Sequence, residues 1–283
     1  MKQFLFLLLC LLLCLLLPLA CSRPQSFAPQ SFPERPYALW VPDEASPKPF
    51  ALVVLLHAYD TSPATQERFF RIKAELQKAG IAYAWPLGTK NLSGKRYWDA
   101  NTSCCNHDAQ HPEDLAYIMA VLEDVAQRLP IDSTRISLIG LSNGAFLAYQ
   151  LACENPERFS KLIAVAGAPP ASCPSLSASG PSILHIHGDA DEWVPLEGGK
   201  LSPTATAFPS PSTMLELWAT QAQCLPINAE SPPPLFQQPF SQKAWICPQQ
   251  KRHLTLWVIE GGKHQLKPTR TFHKAILHFL FSP

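Results

Sequence analysis

The stretch RISLIGLSNGAFLAYQLAC, Arg135–Cys153, decides the fold. Its first half is a β-branched and apolar run that reads as a buried strand, and its second half carries helical spacing from Asn143 to Cys153. Between them Gly140-Leu141-Ser142-Asn143-Gly144 forms a Gly-x-Ser-x-Gly pattern. In a strand-to-helix setting the serine sits on a sharp turn with its hydroxyl exposed, flanked by glycines that relieve crowding. Ser142 is therefore the candidate nucleophile, and the amino end of its helix favours negative charge that develops beside it.

The same alternation extends in both directions. FALVVLLH (50–57) and IAYAWP (81–86) read as central strands, with an amphipathic helix expected over 65–78 between them. A helix is expected over 112–127, followed by the strand at 135–140. KLIAVAG, SILHIHG and HLTLWVIE (253–260) repeat the theme of an apolar strand, and a last helix is expected over 271–281. YALWVP (37–42) reads as an edge strand. Strands alternating with helices predict an α/β fold, with a mostly parallel central sheet covered by helices on both faces. Ligands in such sheets bind beyond the carboxyl ends of the strands.

A nucleophilic serine needs a histidine to take its proton and a carboxylate to orient that histidine. In this fold the chain order is Ser, acid, His. Asp189, Asp191 and Glu192 in HGDADEWVP are the acids near a strand end after Ser142. The chemistry of these three leaves the choice open. His185 and His187 precede them, and His253, His273 and His278 lie within regular elements, whereas His264 follows a strand in the loop EGGKHQ. His264 is accordingly the candidate base.

Residues 1–20 carry Lys2, an apolar run and small residues before a cut, as a secretory signal does. The end of that run resembles a bacterial lipoprotein signal, which implies lipidation of Cys21; simple secretion is the other reading. Residues 21–36 read as a linker, and 37–283 as a single catalytic domain. Removing the signal leaves seven cysteines, so lipidation of Cys21 would leave six, enough for three disulfides in an oxidising compartment. Cys224 with Cys247 is the pairing that staples a proline-rich loop. The expected location is exported: periplasmic, outer-membrane-anchored or extracellular.

The chain resembles the polyhydroxybutyrate depolymerase and feruloyl or acetylxylan esterase family of secreted bacterial α/β hydrolases. The resemblance runs from Tyr37 to the C-terminus and rests on LLHAYD, YWDANTSCC, GLSNGAFLAYQLACENPERFSKLIAVAG, HGDADEWVP and the late GGKH. It implies the α/β-hydrolase fold, Ser142 as nucleophile, Asp191 as acid and His264 as base. It also implies that the backbone N–H groups of Asn143 and Tyr59 form the oxyanion hole. Trp98 and Trp193 are candidates for lining the substrate site, packing being the alternative for each. Ala58 stands where the family has the glycine of a His-Gly pair, and the loop around His264 lacks a third glycine and a following aromatic residue.

The expected reaction is hydrolysis of small or oligomeric carboxylic esters, polysaccharide- or polyester-derived, through an acyl-enzyme. A serine peptidase on the same fold and a non-catalytic surface-binding lipoprotein are the alternatives. Without the signal the chain has 22 basic and 22 acidic side chains and no basic stripe, which argues against a nucleic-acid partner. No closed ligand set predicts a metal, and no nucleotide fingerprint predicts a cofactor. A membrane partner is expected only through a lipid at Cys21, and nothing in the sequence specifies an oligomeric state.

Overall fold

The computed structural model describes residues 24–282 apart from 107, 109, 172, 174–179 and 229–233. The signal and the lipidation site at Cys21 lie outside the described residues. No helix among the described residues is long and apolar enough to cross a membrane.

Ten strands form one sheet: β1 (Gln25–Phe27), β2 (Tyr37–Trp40), β3 (Phe50–Leu56), β4 (Ala82–Pro86), β5 (Ile131–Leu141), β6 (Lys161–Val165), β7 (Ser182–Gly188), β8 (Leu225–Ile227), β9 (Phe240–Cys247) and β10 (Arg252–Ile259). Their order across the sheet is β1-β2-β4-β3-β5-β6-β7-β10-β9-β8. The pairs from β4 through β3, β5, β6 and β7 to β10 are parallel. Antiparallel strands close both flanks, β2 and β1 beyond β4, and β9 and β8 beyond β10.

The helices are α1 (Pro63–Phe70), α2 (Lys73–Lys78), α3 (Asp114–Arg128), α4 (Asn143–Glu154), α5 (Pro211–Gln221) and α6 (Phe272–Phe281). Side chains alternate across a strand, so the central strands feed two cores. Leu52, Val54, Leu56 and Leu138 pack with Tyr117, Val121, Phe146 and Trp218 from α3, α4 and α5. Val53, Leu55 and Ile139 pack on the other face with Phe70, Leu76, Phe272 and Ile276 from α1, α2 and α6. Helices thus cover both faces, as the buried central strands require.

Three expectations need correction. The helix expected over 65–78 is two helices, because Arg71 adopts a left-handed φ of 55° and caps α1. Glu67 then accepts the Lys73 N–H at 2.7 Å, holding the first residue of the second helix. The reading of 21–36 as linker is also too long. Gln25–Phe27 pairs with Tyr37–Leu39, and Arg35 donates to the Pro112 carbonyl at 2.9 Å and pairs with buried Asp114. That added strand moves YALWVP off the edge of the sheet.

Disulfides join Cys104 to Cys105, Cys153 to Cys173 and Cys224 to Cys247. The last ties the end of α5 to the end of β9 across 23 residues. Closing a loop of this length restricts the unfolded chain by about 3 kcal/mol. The Cys224→Ala/Cys247→Ala protein is therefore expected to lose about 2–4 kcal/mol of unfolding free energy in urea titration, with the folded far-ultraviolet spectrum unchanged.

Candidate active site

Ser142 is the hinge between β5 and α4, and its backbone is left-handed, with φ 53° and ψ −120°. Non-glycine residues occupy this region rarely and at a cost of about 1–3 kcal/mol. Packing leaves the turn no alternative. A Cβ on Gly140 would lie 2.3 Å from the Gly144 carbonyl oxygen, and one on Gly144 would lie 2.2 Å from that of Leu56. The Ser142 N–H donates to Val165 O at 2.7 Å, fastening the turn to the end of β6.

Two further strand ends bring partners to the serine. Ser142 Oγ lies 2.9 Å from His264 Nε2, and His264 Nδ1 lies 2.8 Å from Asp191 Oδ2. His264 follows β10 and Asp191 follows β7, and these strands are parallel neighbours, Ile259 beside Gly188. Their loops are laced together. Ala190 N–H donates to Gly262 O at 3.0 Å, and Asp189 Oδ1 accepts the Gly261 N–H at 2.7 Å. The two aspartates that sequence chemistry left undecided therefore have different jobs. Asp189 holds the His264 loop, whereas Asp191 meets the imidazole.

Asp191 Oδ1 accepts the backbone N–H groups of Trp193 and Val194, each at 2.9 Å. Burial pushes the Asp191 carboxyl up, but hydrogen bonds from His187, His264 and Val194 outweigh it and hold the group well below the usual carboxylate range. It stays ionised beside an imidazole that it can orient.

On the other side of Ser142 lies the loop after β3. His57 is buried and accepts the Gly88 N–H at Nε2, 2.9 Å away, so its Nδ1 carries the proton and donates to Ala58 O at 2.8 Å. Burial lowers this imidazole to about 4, which keeps it neutral. Ala58 is not among the residues with positive φ, so the alanine in place of glycine brings no left-handed strain. Its own N–H donates to Gln66 Oε1 at 3.3 Å. Tyr59 follows it, its ring facing Lys95 and its hydroxyl accepting from Asn91. Asn143, the first residue of α4, has no carbonyl one turn earlier in the helix to receive its N–H.

Trp98 does not line the substrate site. It is fully buried, its indole N–H donates to His57 O at 2.8 Å, and its ring packs on His57. Its backbone N–H and carbonyl also grip both ends of the Asn143 side-chain amide, at 2.7 and 2.8 Å. Trp98 thus ties the loop after β3 to the start of α4, a function that only tertiary packing reveals. Trp193, in contrast, is 67% exposed, with its ring centroid 5.1 Å from that of His264. Together with Glu192, Lys263 and Gln265 it borders an open depression of about 270 Å³ beside the imidazole.

His185 and His187, fully buried, line up behind Asp191 rather than near Ser142. Among the described residues no group of three His, Cys, Asp or Glu is arranged to hold a metal ion.

A family model described as phospholipase/carboxylesterase matches residues 43–207, which include Ser142 and Asp191. A protein of Nocardia uniformis subsp. tsuyamanensis named as an esterase, NocK, is 28% identical over 163 residues, 57% of this chain and 46% of its own length. Feruloyl esterase C of Emericella nidulans is 30% identical over 173 residues, 58% of each chain. The chain thus spans about half the length of these curated relatives. The solved structure of an acetyl xylan esterase from Aspergillus awamori superposes with a TM-score of 0.61 at 17% identity, covering 88% of this chain and 94% of the other. That likeness establishes the α/β-hydrolase fold. Because the family match takes in more than half of the chain, this protein belongs to the phospholipase/carboxylesterase family of α/β hydrolases.

Proposed function

We propose that this protein is an exported serine esterase that cleaves carboxylic esters through an acyl-enzyme. The observation that carries the reading is the unbroken hydrogen-bonded series Ser142 Oγ, His264 Nε2, His264 Nδ1, Asp191 Oδ2. Ser142 Oγ attacks the ester carbonyl carbon while His264 Nε2 takes its proton, and ionised Asp191 stabilises the imidazolium. The N–H groups of Asn143 and Tyr59 receive the developing oxyanion. His264 returns the proton to the leaving alkoxide, which departs as an alcohol. Water, deprotonated in turn by His264, then attacks the acyl carbon, and Ser142 is released with the acid.

The open depression and the exposed indole of Trp193 suit a small ester, or an ester at a chain end, whose acyl or alcohol part lies across the ring. Feruloyl and acetyl esters are the first classes to test, since relatives carry those names; hydroxyalkanoate oligomers are the third. The domain plan that goes with this reading is an export signal over 1–20, lipid at Cys21, and one catalytic domain. Three disulfides support an oxidising compartment.

The decisive comparison is of wild type with Ser142→Ala on p-nitrophenyl acyl esters, methyl ferulate, acetylated xylan, hydroxybutyrate oligomers and peptide amides. Ester turnover should fall on the order of 10⁶-fold in Ser142→Ala and about 10⁴-fold in Asp191→Asn. Serine-dependent amide cleavage with weak ester turnover would instead identify a peptidase, and wild type inert on every substrate would favour the binding protein. Because hydrogen bonds hold the Asp191 carboxyl well below the usual carboxylate range, Asp191 should add no proton of its own to the acid limb of kcat/KM above about pH 4. A two-proton limb in that range would contradict this assignment. For Trp193→Ala, steady-state kinetics on methyl ferulate should give a KM raised about 2–10-fold with kcat nearly constant.

A further inference from the structure

Behind Asp191 runs a second series of polar side chains that ester cleavage does not require. Tyr149 Oη lies 2.8 Å from His185 Nδ1, His185 Nε2 lies 2.9 Å from His187 Nδ1, and His187 Nε2 lies 2.7 Å from Val194 O and 3.3 Å from Asp191 Oδ2. All three side chains are fully buried. His185 and His187, two apart on β7, face the same side of the sheet.

The bond pattern has a direction. A carbonyl oxygen only accepts, so His187 Nε2 carries a proton that it donates to Val194 O, with the Asp191 carboxylate 3.3 Å from the same nitrogen. If His187 is neutral, its Nδ1 accepts from His185 Nε2–H, which leaves His185 Nδ1 to accept the Tyr149 hydroxyl. Every buried hydrogen then has an acceptor. The reverse direction would need a charged imidazole inside the core and would leave the Tyr149 hydroxyl hydrogen without its partner. Burial, with His187 beside it, holds His185 well below the usual imidazole range, which agrees with a neutral chain.

We propose that Tyr149, His185 and His187 form a one-way hydrogen-bond chain that positions the Asp191 carboxylate and tempers the negative charge it presents to His264. His187 is a positioning residue, acting through Asp191. The proposal rests on the reading of Ser142, His264 and Asp191 as the catalytic series. It explains why three polar rings occupy a core position where apolar side chains would need no partners. The flanking strands set Ala164 and Leu256 beside His185 and Val258 beside His187, none of them titratable. Trp218 of α5 packs on Tyr149, Asp189 is turned to Gly261, and Glu192 and Lys263 lie on the outer side of His264. Asp191 is therefore the charge that the chain meets.

The test uses the mature protein with ¹⁵N-labelled histidine, and the variants His187→Leu and His187→Gln with active sites counted by a phosphonate ester. The expected spectrum, taken at the pH of full activity, has Nε2 protonated and Nδ1 unprotonated in both His185 and His187. Leucine removes a donor from Asp191, leaving more charge to stabilise the His264 imidazolium. The acid limb of kcat/KM in His187→Leu should therefore move to higher pH by roughly 0.5–1, with kcat per titrated site down about tenfold and KM little changed. Glutamine, whose Nε2 donates from nearly the same place, should restore the limb. A protonated Nδ1 or a charged ring on His187 near neutral pH would overturn the chain, and should the leucine variant not fold, this spectrum and the glutamine variant still decide. A wild-type limb and kcat in His187→Leu would overturn the positioning role alone, whereas activity persisting in Ser142→Ala would remove the underlying catalytic reading.

Discussion

The left-handed turn at Ser142 is the constraint around which the rest is arranged. Its backbone would relax if there were room, and there is none. Gly140 and Gly144 touch each other's backbone, Gly144 lies against the end of β3, and a Cβ on Gly167 would fall 2.8 Å from Ser142 O. The strain is local and small, about 1–3 kcal/mol. The two apolar cores that hold β3, β5 and β6 against α4 on one side and α1 and α6 on the other are large by comparison. Because β5 lies centrally in the parallel sheet, the serine emerges at the end where β7 and β10 also finish. The topology, more than any single bond, places a histidine loop and an aspartate loop within reach.

What could be read from the sequence was what is encoded locally. The buried parallel strands are continuous apolar runs, and Gly-x-Ser-x-Gly between strand and helix carries its own geometry. The flanking strands were harder. β9 reads FSQKAWIC, with exposed Ser241 and Lys243 alternating with half-buried residues in its first half, so it lacks the apolar run that marks its neighbours. β1 has three residues, mostly exposed, and is a strand only because Tyr37–Leu39 pairs with it. The break at Arg71 was hidden for a different reason. Phe69, Ile72 and Leu76 keep helical spacing across it, while the left-handed residue is an arginine, with no glycine to announce the turn.

Site residues divide the same way. Strand ends and chain order single out Ser142 and His264, which lie 2.9 Å apart, but they say nothing of where Trp98 goes. An aromatic residue in a long loop suggests a ligand wall. Here it is a brace, joining a carbonyl 41 residues before it to an amide 45 residues after it. No periodicity records such a pairing. Its consequence is that the two segments expected to supply oxyanion donors are fixed relative to each other by a buried indole and a two-point amide grip.

Asp189 and Asp191 are held in different ways, and the spacing of the loop accounts for the difference. An ionised carboxylate at a buried position is tolerated only if donors replace water. Asp191 obtains two of them from the N–H groups two and three residues ahead, a turn that a short Asp side chain closes and a longer Glu does not. One oxygen is thus satisfied by the loop itself, and the other is left to face imidazole nitrogens, His264 in front and His187 behind. Asp189 instead spends an oxygen on Gly261 N–H in the neighbouring loop, so it shapes the approach of His264 without touching it. The setting of Asp191 is therefore a folded loop as much as a side chain: HGDADEWVP supplies the carboxylate, two of its donors and the carbonyl that fixes the proton on His187. Moving the aspartate by even two positions along this loop would keep the charge and lose the geometry that holds it ionised.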